Sequence, residues 1–578
     1  MKVSVVMATF NRCGMLARSL PRLFDQDLPA GEYEVVVVVD GSTDGTNELI
    51  GSFHPRCGFQ VIKQPNRGQT AALNAGVRAA SGTLVLFYDD DLVCDRELLR
   101  VHVQAHSDGI PKVVFGPVIV APTSDPGPAT QWTRVHLDGY FDGLSVGAGL
   151  PWHKSYTGPN CSLPRALFLQ AGGYDEVVTG RRMEDMELGL RLSKMGIRFE
   201  YEPLALTHHV CLKSSGDLVQ DASCDGRTLV AMCRKHPEFR AYASLTAVLA
   251  GPGWRQAIVR NSARLPAVTD TLLAVASQTI ELANNSEHLR RWAYRLLNLR
   301  IAVAFLRGAV QETGSWQALK AYYGRRLPVL LYHDVGPARS GGRHPELVVS
   351  PRQFAYQIRW LKRIGYTGIS PSEWQAWRFQ GVPLPRKPVL ITFDDAYANI
   401  ATHALPVLRR QGFSAGVFVI TRKIGEANAW DGESLMTEPQ IRYWAAHGIE
   451  FGGHSRNHFD LTTLPPAAVK TEVGGSAEDL SSLGLLVQTF AYPFGSYSFA
   501  VREETAQHFA LAFTCDEGLN DLRTDPLLLR RTMVQPGDTS IDIALRAALG
   551  RSPLNRVRSR LRLRSRFLRL LRVLHFYS

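Results

Sequence analysis

Thr83-Leu84-Val85-Leu86-Phe87-Tyr88-Asp89-Asp90-Asp91 is an apolar run that ends in three carboxylates. After Ser81-Gly82, such a run predicts a buried strand. Buried strands of α/β sheets present functional groups at their carboxyl ends. Three adjacent acids there repel one another unless a cation sits among them. A helix cap accounts for one Asp, not three, although residues 96–105 read as a helix just downstream. The stretch therefore predicts a carboxylate-held Mg²⁺ or Mn²⁺. Such an ion usually binds substrate phosphates as well, which points to a nucleotide-linked donor.

On the N-terminal side the chain repeats strand, turn and helix. Residues 3–7 read as a strand that ends in Ala8-Thr9-Phe10-Asn11-Arg12, with a helical pattern over 15–24. Residues 34–39, almost all Val, form a second strand that ends at Asp40-Gly41-Ser42-Thr43-Asp44-Gly45. This alternation predicts a doubly wound, Rossmann-like α/β sheet. Asp40 stands where an acid can hydrogen-bond a nucleoside, and a plain turn Asp would read the same way. Further on, residues 183–195 are helical by pattern, with Gly196 as the stop. Glu184 and Asp185 in its first turn suit the helix dipole. With the acidic strand upstream, Asp185 reads better as a general base for an acceptor hydroxyl. His208-His209, at a strand end, is either structural or supplies a metal ligand through His209.

Several of these pieces occur in a familiar order. Val5-Val6-Met7-Ala8-Thr9-Phe10-Asn11-Arg12 is followed by Val38-Val39-Asp40-Gly41-Ser42-Thr43-Asp44-Gly45-Thr46, then Asn66-Arg67-Gly68 and Asn74-Ala75-Gly76. Asp89-Asp90-Asp91, Gly172-Gly173-Tyr174-Asp175 and Glu184-Asp185 complete the series. This half resembles the family 2 inverting glycosyltransferases of the GT-A fold. The resemblance implies a nucleoside diphosphate-sugar donor, with N-acetylglucosamine as the candidate sugar, and a glycan or lipid-linked acceptor. Thr9, Asp40, Asp89, Asp90 and Glu184 would contact the nucleotide-sugar. Asp91 and His209 would hold the metal, and Asp185 would be the base. Two positions depart from the family pattern, Val39 for an acid and Leu73 for an Arg.

A second alternation begins at Leu327-Pro328-Val329-Leu330-Leu331-Tyr332-His333-Asp334. Strands are predicted at 388–393, 415–421, 450–452, 488–492 and 510–514, with helices at 354–364, 403–411 and 439–446. The count suggests a barrel-like α/β domain. Asp394-Asp395 ends one strand, and His454-Ser455-Arg456-Asn457-His458 places two His four apart, on one face if the segment is helical. Two imidazoles and a carboxylate, with a place left for water, make the pattern of a catalytic metal. The other Asp is then available as a base.

Thr392-Phe393-Asp394-Asp395, His454–His458 and Tyr492-Pro493-Phe494-Gly495 together resemble the three motifs of the NodB-type polysaccharide deacetylases, carbohydrate esterase family 4. The resemblance implies Asp394 as base and Asp395, His454 and His458 as ligands of Zn²⁺ or a similar ion. Tyr492, Pro493 and Phe494 would line the pocket. Ala491 stands where the family has an Arg, and the late motif lacks its His. Circularly permuted members bring that His from the first strand, which makes His333 the candidate acid. The subtype looks like the deacetylases of poly-N-acetylglucosamine, whose usual place is outside the cytoplasm.

These readings divide the chain of 578 residues into a glycosyltransferase domain (1–245), a helical connector (246–326), a deacetylase domain (327–548) and a basic tail (549–578). In the connector, apolar residues at helical spacing over 268–308 predict two to four helices. They would serve as a spacer, an acceptor surface or a membrane-lying face. Residues 551–578 hold nine Arg and no acid, which is +9 of the net +12. The six Arg from Arg556 to Arg566 alternate with other residues, and Phe567, Leu568, Leu570 and Leu571 follow. An anionic membrane surface is the expected partner of this tail, in preference to nucleic acid. The first residues enter a strand at once, so no signal peptide is expected. No apolar run reaches the roughly 18 residues of a membrane span. Eight unpaired cysteines suit a cytoplasmic, peripherally bound protein. The composite expectation is a bifunctional enzyme that transfers a sugar and deacetylates an amino sugar, in cell-surface polysaccharide or glycolipid synthesis. The alternatives are a transferase with a silent, carbohydrate-binding deacetylase-like half, and a membrane- or nucleic-acid-binding protein that acts through the tail.

Overall fold

A computed structural model describes residues 2–122, 124, 127–144, 147–148, 158–176, 183–210, 213–250, 271, 274–275, 287–337, 344–428 and 432–554. Two compact units share the chain. One holds the chain up to His236 and the helical region that ends at Leu319. The other holds Pro237–Ala250 and the chain from Lys320 onward. The basic run 556–574 lies outside the described residues.

In the first unit the strands are β1 (Val3–Thr9), β2 (Tyr33–Asp40), β3 (Gly58–Gln64), β4 (Leu84–Phe87), β5 (Leu92–Cys94), β6 (Lys112–Phe115), β7 (Val118–Val120), β8 (Gly147–Ala148), β9 (Cys161–Pro164), β10 (Arg198–Tyr201) and β11 (Thr207–His209). The main sheet runs β3-β2-β1-β4-β9-β6-β10-β8. β1 to β4 are parallel, and β9 is antiparallel to both neighbours. Every residue of β2 is buried, as expected of a parallel strand covered on both faces. Helices Cys13–Phe24 and Gln69–Ala79 supply part of that cover. At Gly76 an added Cβ would come 2.5 Å from Val6, so this helix sits directly on β1. The parallel register sets the carboxyl ends of β1, β2 and β4 side by side, and Thr9, Asp40 and Asp89–Asp91 stand there. A second, small sheet β5-β11-β7 carries His209 to Asp91, whose carbonyl accepts from Val210 N at 2.9 Å.

Helix Ser215–Lys235 opens with a capping box between Ser214 and Asp217. It packs on a helix of 27 residues, Glu287–Thr313. A Cβ at Gly226 would lie 1.9 Å from the Phe305 carbonyl oxygen, and one at Gly308 would lie 2.0 Å from that of Ser223. Between 287 and 313 the described connector is one continuous helix, and a second helix follows at Trp316–Tyr323. No Pro interrupts the spacing of the longer helix, and its only interior glycine is used for close packing. Residues 251–270, 272–273 and 276–286 lie outside the described residues.

The second unit contains β12 (Val329–Tyr332), β13 (Asp334–Val335), β14 (Val348–Val349), β15 (Thr367–Ile369), β16 (Pro388–Phe393), β17 (Gly416–Val419), β18 (Glu450–Gly453), β19 (Thr489–Ala491), β20 (Leu511–Phe513) and β21 (Thr532–Met533). Its main sheet runs β20-β19-β18-β17-β16-β12-β21, with β15 on the first half of β16, and all pairs are parallel. It is a curled half-barrel in which β20 and β21 do not pair among the described residues. The helix expected at 403–411 is two helices, Ala398–His403 and Leu405–Gln411. They meet at Ala404, where Pro406 removes a donor from the first turn that follows. The seven described cysteines are free thiols.

Two candidate active sites

The first site is a cleft of about 810 Å³ at the carboxyl edge of the main sheet of the first unit. Thr9, Asp40, Asp89, Asp90, Asp91, Glu184 and Asp185 all line it, with Arg12, His136, Tyr140, Gly158, Tyr174, Met183 and Lys213. Asp40 is 4% exposed. Its carboxylate accepts from Gln64 Nε2, Arg67 N and Gly68 N, each at 2.8 Å. It thus orders the 66–68 loop over the donor side of the cleft. Thr9 Oγ1 donates to Asp90 Oδ2 at 2.8 Å.

The acids of the cleft crowd together, and their environments push them in different directions. Burial, and then the charges of Asp91, Asp90, Asp185 and Glu184, push the Asp89 carboxyl well above the usual range. Burial and Asp91 push Asp90 up to about 6. For Asp91 burial also works upward. It is outweighed by the hydrogen bond and charge of His209 and by the charges of Arg12 and Lys213, which hold the carboxyl below its ordinary value. His209 Nε2 lies 3.4 Å from Asp91 Oδ2. Hard oxygens and one imidazole are donor types that a divalent cation takes, but the ligand atoms of Asp89, Asp91 and His209 do not converge as a three-ligand set. His208 sits beside His209 on β11, where the alternation of the strand turns it to the other face.

Asp185 is held at the start of helix Glu184–Lys194 by parts that sequence reasoning missed. Met183 at the N-cap has φ +70, a left-handed conformation that costs a non-Gly residue energy and marks sites. A Cβ at 158 would fall 2.2 Å from Asp185 Oδ2, so only Gly fits there. Glu187, fully buried, accepts from Arg191 Nη2 at 2.6 Å and faces His236 Nε2 at 2.9 Å. Arg191 also donates to the Gly173 carbonyl at 2.6 Å. Asn74 Nδ2 donates to Tyr174 O at 2.8 Å, and Asn74 Oδ1 accepts from Tyr174 N at 2.9 Å. The motif pieces Asn74-Ala75-Gly76 and Gly172-Gly173-Tyr174-Asp175 are thus one hydrogen-bonded assembly behind the cleft.

The second site lies at the carboxyl ends of β16 and β18. Ligand atoms of Asp395, His454 and His458 all lie within 4.8 Å of one another. Both His Nε2 atoms point at Asp395 Oδ1, at 3.5 and 3.4 Å. His454 Nδ1 donates to Ala491 O at 2.7 Å, which fixes the tautomer and leaves Nε2 for an ion. This donor set, two neutral imidazoles and one carboxylate, fits a Zn²⁺-like ion. The segment 454–458 is not a helix. Ser455 and His458 take φ of +60 and +63, and Ser455 Oγ accepts from His458 N at 2.9 Å. The two rings converge through a turn, their centroids 4.9 Å apart. Asp395 and Phe494 are left-handed as well, at +66 and +59.

Asp394 is paired by a residue that the motifs do not flag. Arg531 Nη1 and Nη2 donate to its two oxygens at 2.6 and 2.8 Å. Arg531 is fully buried and donates through Nε to Thr514 O at 2.8 Å. Its guanidinium lies over the rings of Phe418 and Phe513. Ala491 offers no such group, and Arg531, immediately before β21, is the guanidinium beside Asp394. The available signal was Arg530-Arg531 running into a short strand, which is weak by itself. Burial alone would raise Asp394, but the charge of Arg531, then that of His454, holds the carboxyl at about 2. Burial lowers His333 to about 4, against the pull of Asp394. Phe494 is 64% exposed, with its ring 4.7 Å from that of His458. Pro493 is buried next to it. Tyr492 differs from expectation in its side chain, which is buried in a hydrophobic cluster with its hydroxyl donating to Leu527 O at 3.0 Å.

Residues 4–153 match the family model Glycosyl transferase family 2, and residues 381–510 match Polysaccharide deacetylase. The chain joins a family 2 glycosyl transferase domain to a polysaccharide deacetylase domain. Similarity to YxkH of Bacillus subtilis, named as a polysaccharide deacetylase, is 29% identity over 230 residues, 39% of this chain and 77% of that protein. Similarity to validoxylamine A glucosyltransferase of Streptomyces hygroscopicus subsp. jinggangensis is 32% over 220 residues, 34% of this chain. The chain spans about half, 52%, of the length of that glucosyltransferase. Among solved structures, the deacetylase PplD of Streptococcus pyogenes in complex with acetate is 25% identical over 38% of this chain and 97% of PplD, with a TM-score of 0.35. No helix among the described residues is long and apolar enough to cross a membrane.

Proposed function

We propose that this chain transfers a sugar from a nucleotide-sugar donor to a glycan or lipid-linked acceptor, and also removes an acetyl group from an N-acetylated amino sugar. The observation that carries the reading is the Asp395–His454–His458 set beside an Asp394 clamped by Arg531, in a chain that also holds the acidic cleft. N-acetylglucosamine is the candidate sugar, because one sugar would then suit both sites.

In the transferase site, Asp91 and His209 would hold Mg²⁺ or Mn²⁺ with Asp89 beside them on the nucleotide-sugar, and the ion's chemistry there is to neutralise the diphosphate of the leaving nucleotide. Asp40, Asp90, Thr9 and Glu184 shape the donor pocket. Asp185 takes the proton of the acceptor hydroxyl, and attack opposite the leaving nucleotide inverts the anomeric centre. In the deacetylase site, Asp395, His454 and His458 would hold Zn²⁺ or a similar ion, whose chemistry is to polarise the amide carbonyl and acidify water. Asp394 removes the proton from the attacking water. His333, neutral at rest because burial disfavours its charge, would receive the proton that Asp394 takes from water and deliver it to the leaving amine. Phe494 offers an exposed ring to the sugar face. The basic tail docks the protein on an anionic, cytoplasmic membrane face.

The test follows nucleoside diphosphate release and acetate release in the same tubes, with a panel of nucleotide-sugars and Mn²⁺ or Mg²⁺. Both signals from UDP-N-acetylglucosamine with acceptor support the coupled reading. Nucleotide release without acetate from any acetylated substrate overturns it.

A further inference from the structure

The turn that carries His454 and His458 contains two left-handed, non-Gly residues, Ser455 and His458, a conformation that side chains adopt only at an energetic cost. Such a turn persists only if its surroundings over-determine it. Helix Pro466–Ser482 does this from one side. Glu472, 5% exposed, accepts from Asn457 N at 2.9 Å and from Asn457 Nδ2 at 2.6 Å. Two turns later, Asp479 accepts from Arg456 Nε and Nη2 at 2.9 and 2.8 Å. It also accepts from Thr421 Oγ1 at 2.7 Å, on the loop after β17. That loop holds the other side, with Thr421 N donating to Ser455 O at 3.2 Å and Arg422 N to Arg456 O at 3.0 Å.

Glu472, Gly475 and Asp479 are spaced i, i+3 and i+7, so they share one face of the helix. Gly475 is where Arg456 lies across that face. A Cβ there would come 2.3 Å from the guanidinium carbon. A helix-interior Gly is less stable than Ala, so the helix gives up stability to admit this side chain. Neither carboxylate is a metal ligand, and neither belongs to the motifs. Both grip residues that lie between the histidines, two of the three there.

We infer that Glu472 and Asp479 are positioning residues for the metal site: a two-carboxylate clamp that holds Asn457 and Arg456 so that both imidazoles converge on Asp395. The inference rests on the metal reading proposed above. Asp479 is the hub, since it ties the His turn to the β17 loop as well as to its own helix. Losing it frees the side chains of Arg456 and Thr421 together, whereas losing Glu472 frees Asn457 alone.

The test is metal affinity of the full chain, read by competition with a chromogenic zinc chelator. The visible absorption of bound Co²⁺ reports ligand geometry, and the unfolding midpoint of the metal-free protein is the control. Asp479→Asn and Glu472→Gln are expected to weaken Zn²⁺ about 10- to 100-fold, the range typical of groups that orient ligands. The cobalt band should weaken or shift. Arg456→Lys keeps the charge but loses the two-pronged grip, and should fall between the wild type and Asp479→Asn. If Asp479→Asn does not fold, Arg456→Lys and Glu472→Gln carry the test. Zinc affinity within threefold of wild type in these variants, with an unchanged cobalt spectrum, overturns the clamp and leaves a plain structural brace. A wild-type chain that binds no Zn²⁺ or Co²⁺ instead overturns the metal reading itself.

Discussion

Arg531 is the residue that most changes the reading of the second site. It is fully buried against Asp394 and has no other acid partner among the described residues. Breaking a buried pair leaves an uncompensated charge, at a cost of about 3–5 kcal/mol. Arg531→Leu should therefore lower the unfolding free energy of the second unit by about that amount, read from the shift of its denaturant midpoint, and abolish acetate release. The double variant Arg531→Leu/Asp394→Asn should regain part of the stability and none of the activity. A single variant as stable as wild type would show that Asp394 is not charged at rest. Single substitutions should also separate the two chemistries. Asp185→Asn should stop nucleoside diphosphate release and leave acetate release unchanged, and Asp395→Ala should do the reverse. The acids and histidines of both sites were legible because strand ends followed by carboxylates are a local pattern. Arg531 was not, because its partner lies 137 positions away, and no local pattern reports a contact at that distance.

At the scale of elements, a hydrogen-bonded network joins helix Leu98–Ala105 to the sheet of the first unit. His102 Nδ1 and His106 Nε2 meet Ser162 Oγ at 2.8 and 2.9 Å, and His102 Nε2 meets Asn160 Oδ1 at 3.0 Å. Asn160 Nδ2 donates to the carbonyls of Pro117 and Ala205, so its Oδ1 accepts from His102. His102 Nδ1 then accepts from Ser162, and His106 donates to Ser162. Burial lowers both histidines to about 4. The unfolded chain binds these protons near the ordinary value of about 6.5. Between about pH 6.5 and 4 the unfolded state thus holds more protons, and stability falls as pH falls. The slope is up to about 1.4 kcal/mol per pH unit for each group. The raised carboxyls of Asp89 and Asp90 act in the opposite sense, so urea midpoints of the first unit at pH 7 and pH 5 are compared between wild type and His102→Asn. The pH 5 loss should shrink in the variant, and an identical pH response in the two proteins would rule the network out as the cause. The crossing of helices Ser215–Lys235 and Glu287–Thr313 makes a second prediction. Gly226→Leu should lower stability by at least about 1–3 kcal/mol, because the backbones have no room to part locally. A thermal scan reads it. Helix positions were legible from the 3.6-residue period, whereas this crossing was not, since Gly in a helical pattern reads as a weakness until its partner is known.

At the scale of the whole molecule, the Arg-rich end is expected to act as a unit. Pelleting with anionic liposomes should fall steeply as salt is raised and disappear when residues 551–578 are deleted. Retention of pelleting in the deletion would place membrane affinity elsewhere in the chain. Both families and the order of their domains were readable from the linear chain, because each motif follows a buried strand and recurs in fixed order. How the chain is shared between the two compact units was not readable. Residues 237–250 go with the second unit, and the helical region up to Leu319 goes with the first. Arg240 shows why. It is fully buried and donates to the carbonyl of Tyr322 at 2.9 Å and to that of Trp377. These contacts lie 82 and 137 positions away.

The amino-acid order by itself determined the strands, the acids at their ends and the His pair, since each depends on neighbours a few residues apart. Only the tertiary structure decided which groups hold those side chains in place: Arg531 on Asp394, Asn74 and Arg191 behind the cleft, and Glu472 and Asp479 on the His turn. Hydrogen bonds and close packing join residues by their separation in space, and the chain conceals that separation until it is folded.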